Sequence, residues 1–208
     1  MMEHKKNIGE EIIQARILYY DFFTGLFLFE LLKNRAEILK KQIKILKDFA
    51  FTDGNVEDFR IIEKELNTNG IGAFIQEFTA LFSLPFVPNN RSAQPLSPVY
   101  LYLSYYLEGC IGGKSLSMAK DILKSSSFYL NSTFLKETEE NLGVLLLTME
   151  HLLQNKDDNA NKLFNKCIAP MMQPITQGIS KRKDCMLYGH INNIFVEFLE
   201  LEKKIWLE

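Results

Sequence analysis

Gly113-Lys114-Ser115 is the triplet whose residue types come closest to binding a phosphate, since it ends as a P-loop ends. A P-loop also needs a glycine five residues before Gly113, and that position is Glu108, with Gly109 one place off. A carboxylate there repels the anion it should cradle, and the residues upstream carry a helical pattern where the motif requires a strand. The triplet therefore reads as a helix break, with Ser115 capping a short helix that runs to Lys124.

Acid–base or nucleophilic chemistry needs a histidine or carboxylate held beside a nucleophile. The histidines are His4, His151 and His190, and they assemble no such set. Cys110, Cys167 and Cys185 stand far apart with no Cys-x-x-Cys spacing, so neither a zinc site nor a redox pair is expected. Three small buried thiols in a reducing compartment are the expectation. The sequence thus predicts no catalytic residues, no metal ligands and no cofactor.

Two charge patterns remain. Lys40, Lys44 and Lys47 share one face of a helical stretch, with Lys33, Arg35 and Lys41 nearby, while Ile38, Leu39, Ile45, Leu46 and Phe49 are expected on the opposite, buried face. Glu137, Glu139 and Glu140 precede Asn141, Leu142 and Leu145. Carboxylates in a first helical turn complement the helix dipole and, facing solvent, stay free to take an arginine pair. The net charge of −2 gives no bulk attraction to nucleic acid.

The elements that must hold these residues are helices. The chain has 29 leucines against five valines, and leucine keeps its rotamer freedom in a helix where valine does not. Ile12, Ala15, Tyr19, Phe22, Phe23 and Leu26 repeat at three- and four-residue steps, as do Leu187, Ile191, Ile194, Phe195, Phe198 and Ile205. Helices are predicted from just after Asn34 or Arg35 to about Phe49, over Val56–Leu66 after a Thr52 turn, over Ile71–Phe82, from Pro98 (with Ser97 as N-cap) toward Leu107, over 139–154, over 160–179 with an interruption near Pro170 and Pro174, and over 184–206. Pro85, Pro88, Pro95 and Pro98 confine residues 84–97 to an extended loop.

At 208 residues and 47% hydrophobic composition, the chain is expected to form a single all-α domain, a compact bundle of about eight to ten helices, with any subdomain junction in the loop 84–97. The densest apolar run, Tyr19–Leu32, is interrupted by Asp21, Gly25 and Glu30, so no membrane insertion is expected. Met1-Met2-Glu3-His4-Lys5-Lys6 leads into Glu10-Glu11 rather than an apolar core, so no export leader is expected.

Two segments then acquire meaning together. The first is Glu77-Phe78, Leu81-Phe82 and Pro85, followed by Pro95-Leu96-Ser97-Pro98-Val99-Tyr100; the second is Glu137-Thr138-Glu139-Glu140-Asn141-Leu142, followed by an apolar helix containing Met149. In this order they resemble the paired signatures of the TorD/DmsD family of cytoplasmic chaperones. Thr138 stands where that pattern has proline, Glu140 where it has aspartate and Asn141 where it has histidine. Asn141 keeps hydrogen-bonding capacity but cannot become cationic.

The resemblance implies a TorD-like fold and a cytoplasmic, non-enzymatic protein. It implies a partner too: the twin-arginine signal peptide of a molybdenum- or tungsten-dependent enzyme's catalytic subunit, bound before cofactor insertion and export. On that reading Glu137, Glu139, Glu140 and Asn141 form the polar end of the peptide site, and Leu81, Phe82, Tyr100 and Leu142 its apolar wall. The signatures are expected to face one another across a groove, in a monomer or a domain-swapped dimer. An all-α adaptor or regulatory module for another protein or a nucleic acid is the competing expectation, and an enzyme on a helical scaffold the third.

Overall fold

The computed structural model describes residues 2–83, 97–131 and 133–207. It is all-α. Helices α1 (Met2–Phe27), α2 (Phe29–Leu32), α3 (Ala36–Asp48), α4 (Asp53–Thr68) and α5 (Ile71–Phe78) lead into a π turn at Thr79–Ser83. Then come α6 (Leu103–Glu108), α7 (Lys114–Lys124), α8 (Leu142–Gln154), α9 (Asn159–Leu163), a second π turn at Phe164–Ile168, α10 (Ala169–Ser180) and α11 (Met186–Leu207). Among the described residues the one β feature is an isolated antiparallel bridge between Tyr102 and Asn141. The proposed subdomain junction, and the signature residues Pro85, Pro95 and Leu96, lie outside the described residues.

From Tyr19 onward α1 is apolar on all sides but that of Asp21 and Thr24, and Tyr19, Tyr20, Phe22, Phe23, Leu26 and Phe27 are all buried. A helix of that composition must be surrounded. One side meets α11 through aromatic contacts, with Phe23 and Phe195 ring centroids 4.6 Å apart and Phe27 and Phe195 4.9 Å apart. The other side meets α8, whose first turn crosses α1 at Gly143. A Cβ there would lie 2.7 Å from the Phe27 carbonyl oxygen, so only glycine permits the approach.

Local chemistry explains the helix ends. Thr52 caps α4 by accepting the Asn55 N–H at 3.1 Å, and Asn141 caps α8 by accepting the Gly143 N–H at 2.8 Å. Gly109 ends α6 at φ 72°, a left-handed position natural for glycine. Of the interruption predicted near Pro170 and Pro174, the part before Pro170 is the second π turn, while Pro174 lies inside α10 without ending it. Pro170 has no N–H with which to continue the ladder of α-helical bonds, and the wider turn just ahead of it accommodates that loss.

Several expectations need correction. Ser97 and Pro98 do not begin a helix: residues 97–101 carry no regular structure and α6 starts only at Leu103. Their backbone is engaged sideways instead, the Val99 N–H donating to Leu81 O at 2.7 Å and Leu101 O accepting the Leu142 N–H at 2.7 Å. Helix α8 begins at Leu142 rather than 139, so Glu139 and Glu140 precede the helix. Cys167 and Cys185 are buried, with their thiols pushed up to about 12 by burial, but Cys110 is exposed in the Gly109–Gly113 loop. On α3 the buried residues are Leu39, Gln42, Ile43 and Leu46, while Ile38, Ile45 and Phe49 are exposed at 47%, 47% and 73%.

Candidate peptide-binding site at the meeting of the two signatures

The bridge between Tyr102 and Asn141 is what brings the two signature segments together. The Leu103 N–H donates to Glu140 O at 3.2 Å and the Leu142 N–H to Leu101 O at 2.7 Å, so residues 101–103 and 140–142 lie side by side. Through the bond from Val99 to Leu81, the end of the first signature's helix joins the same unit.

The four polar residues have different fates. Glu140, expected on a solvated rim, is wholly buried. Its carboxylate accepts the Ser104 N–H at 2.8 Å and the Gly112 N–H at 2.8 Å, tying the start of α6 to the glycine loop. A buried anion with two backbone donors is a structural anchor. Asn141 is also buried, held by its capping bond and by its Nδ2–H donating to Glu137 at 3.0 Å. Glu137 is half-buried, and one of its oxygens, Oε2, accepts both that bond and the Tyr102 hydroxyl at 2.6 Å. No described residue donates to Oε1. Burial first, and then the Glu137 carboxylate, push the Tyr102 phenol well up, so Tyr102 stays a donor. Glu139 is partly exposed, with Lys120 of α7 at 3.9 Å.

The apolar residues divide as well. Leu81 and Leu142 are in the core. Phe82 is half-buried against Phe27, Phe78 and Tyr188, with centroids 5.8, 5.0 and 5.4 Å away. Tyr100 is half-exposed and stacks on Tyr105, centroid to centroid 4.0 Å, while its carbonyl accepts the Tyr106 hydroxyl at 2.7 Å. The polar surface at this meeting point is therefore Glu137 and Glu139, and the half-exposed aromatic surface is Tyr100 and Phe82.

Residues whose partners local patterns did not reveal complete the picture. Glu77, sixty residues from the acidic cluster, accepts the Leu187 and Tyr188 N–H groups at 3.1 and 2.9 Å and so holds the N-terminus of α11. Tyr102 and Lys120 had no local signal, since their partners lie 35 and 19 residues away in sequence.

The other chemical candidates resolve differently. The Glu108 carboxylate occupies the N-terminus of α7, accepting the Lys114 and Ser115 N–H groups at 2.7 Å each and the Ser115 hydroxyl. Those bonds hold Glu108 below the usual carboxylate range, and they fill the place a phosphate would take. The cap of α7 is therefore Glu108 rather than Ser115. His190 Nδ1 pairs with Asp58 at 2.8 Å, and among the described residues no group of His, Cys, Asp and Glu is arranged to hold a metal ion. A cleft of about 440 Å³ between α10 and α11, lined by Met172, Thr176, Val196 and Leu199 among others, contains none of the signature residues.

Among the described residues no helix is long and apolar enough to cross a membrane. The family model for the nitrate reductase delta subunit matches residues 35–180, a span that holds both signatures and runs from the start of α3 to the end of α10. Comparison with curated proteins and with solved structures returned no match. With well over half of its length matched, and with the two signatures joined in one backbone unit, this chain belongs to the nitrate reductase delta subunit family, a family of redox-enzyme maturation chaperones.

Proposed function

We propose that the protein is a cytoplasmic, non-catalytic chaperone that binds the twin-arginine signal peptide of a molybdenum- or tungsten-dependent redox enzyme. It holds the catalytic subunit's precursor until the cofactor is inserted, and releases it for export. The observation that supports this reading is the pairing of residues 101–103 with 140–142, which joins the segment carrying Tyr100 to the segment carrying half-buried Glu137 and Glu139, with the Tyr102 hydroxyl donating to Glu137 at 2.6 Å. A leader with a basic start and an apolar body needs those two kinds of surface in that proximity. Glu137 suits an arginine because Tyr102 and Asn141 fix one of its oxygens and leave the other to receive a guanidinium.

The test is calorimetric titration of a twin-arginine leader peptide, taken from a client captured with the protein from native cytoplasm. The same peptide with both arginines changed to glutamine is the control. Micromolar or tighter binding of the first, weakened about tenfold or more in the second, is expected for a two-arginine contact. A protein that captures no redox-enzyme precursor, or binds both peptides equally, would overturn the reading.

A further inference from the structure

The outer side of α3 takes no part in the site described above, yet its composition is unusual for a solvated face. Ile38, Ile45 and Phe49 stand 47%, 47% and 73% exposed at a seven- and then a four-residue step, which places them in one row along the helix. Lys41 falls beside that row and Lys44 next to it, both exposed. The other two lysines of the helix are occupied, Lys40 by Glu37 at 2.9 Å and Lys47 by Glu63 of α4 at 2.6 Å. Among the described residues neither Lys41 nor Lys44 is in an ion pair, and exposed Asp48 is the remaining acid on this helix. Lys33, just before α3, is exposed and lies over the Phe29 ring at 4.5 Å.

We infer that this face of α3 is a docking surface for an anionic lipid bilayer, on which the protein rests peripherally. The shape argues for a plane rather than a peptide. A recognition helix needs a groove between two elements, whereas this row stands on the convex side of one helix whose Leu39, Ile43 and Leu46 face the core. A helix lying in a membrane interface presents this combination: apolar side chains that enter the acyl boundary, flanked by lysines whose long stems let the ammonium groups reach the headgroups. Lys41 and Lys44, in no ion pair among the described residues, supply the electrostatic part with Lys33 nearby, and three apolar side chains supply only a weak, reversible hydrophobic part. The contact is thus transient and depends on lipid charge.

The test is co-sedimentation of the full chain with large vesicles, either of phosphatidylcholine alone or of equal parts phosphatidylglycerol and phosphatidylcholine. Partition to the anionic vesicles is expected to exceed that to the neutral ones about tenfold or more at low salt, and to fall as salt is raised. Lys41→Glu with Lys44→Glu should abolish the preference. Phe49→Ser with Ile45→Ser should weaken binding to both vesicle types. All four positions are exposed, so each double variant should keep the wild-type melting temperature, and each should bind a twin-arginine leader as wild type does. No partition to anionic vesicles at low salt would overturn the inference, as would partition that the lysine reversals leave unchanged. Saturable binding of an acidic amphipathic peptide at this face, without vesicle binding, would reassign the surface to a protein partner.

Discussion

Glu140 and Ser104 are joined by a 2.8 Å bond from a buried backbone N–H to a wholly buried carboxylate, and the same carboxylate takes the Gly112 N–H at 2.8 Å. One of the three carboxylates expected at the polar end of the peptide site is thus spent inside the protein. Removing it strands two backbone donors whose nearest acceptor has gone. Glu140→Ala is expected to destabilise the fold by about 2–4 kcal/mol, and Glu140→Gln by less, since one amide oxygen can still accept. Urea unfolding of both variants measures this, and a change in Glu140→Ala under about 0.5 kcal/mol would refute the anchoring role.

Recognition should instead rest on Glu137, with Glu139 held in reserve by Lys120. Glu137→Gln is expected to weaken twin-arginine peptide binding about fivefold, or roughly 1 kcal/mol, because the site is only half-buried. Lys120→Ala removes the cation 3.9 Å from Glu139 and should strengthen binding about twofold at low salt. Both effects should shrink as salt shortens the screening distance below about 10 Å. Titration calorimetry at two ionic strengths is the measurement. Glu137→Gln with unaltered affinity would take this carboxylate out of the peptide site.

How much of this was legible in the sequence follows from how far apart the partners are. Helix α4 could be read because Thr52 and Asn55 are three residues apart, whereas the first-turn pattern of Glu139 and Glu140 puts the start of α8 three residues early, ahead of its true cap Asn141. Extended residues 97–101 could not, because their backbone partners are Leu81 and Leu142. The same holds for Glu140, whose burial depends on amides 36 and 28 residues upstream. Glu77 offered a motif position but no hint that it holds a helix 110 residues later. The apolar row on α3 misled for a different reason: the apolar residues span an arc of the helix wider than the stripe that Leu39, Ile43 and Leu46 bury, and periodicity alone does not say which edge of that arc stays exposed.

A second buried anchor ties the two ends of the fold. Arg16 of α1 forms a two-pronged pair with Glu202 of α11 at 2.6 and 2.8 Å, and Glu202 also accepts from the Tyr20 hydroxyl at 2.6 Å and Trp206 Nε1 at 2.9 Å. Glu202→Ala leaves the Arg16 charge buried without its partner and is expected to cost about 3–5 kcal/mol. Changing Arg16→Met and Glu202→Leu together should restore most of that. Trp206 is the only tryptophan and lies 4.8 Å from the Arg16 guanidinium, so its fluorescence reports the break directly. An unfolding midpoint and emission spectrum unchanged in Glu202→Ala would show that the ends are held by apolar packing alone.

The last prediction concerns Glu150 on α8. Desolvation first, then the negative charge of Asp21 on α1, push its carboxyl up to about 7, against a smaller opposing effect from Arg35. Arg35 is already committed to Asp21, as is Gln42 at 2.7 Å, so two carboxylates share one cation. The folded state therefore holds a proton on Glu150 that the unfolded chain releases near the ordinary value of 4.5. The stability this proton confers is fully present below about pH 4.5 and is lost as pH rises to about 7, after which the curve flattens. After discounting for the part of the group that solvent reaches, the loss is expected to be about 1–3 kcal/mol. Glu150→Gln should remove that slope and leave the protein more stable than wild type at pH 8, with little difference at pH 5. Chemical unfolding of both proteins across this range decides the matter. Parallel curves would mean that Glu150 stays ionised and that its charge is relieved by groups other than Arg35.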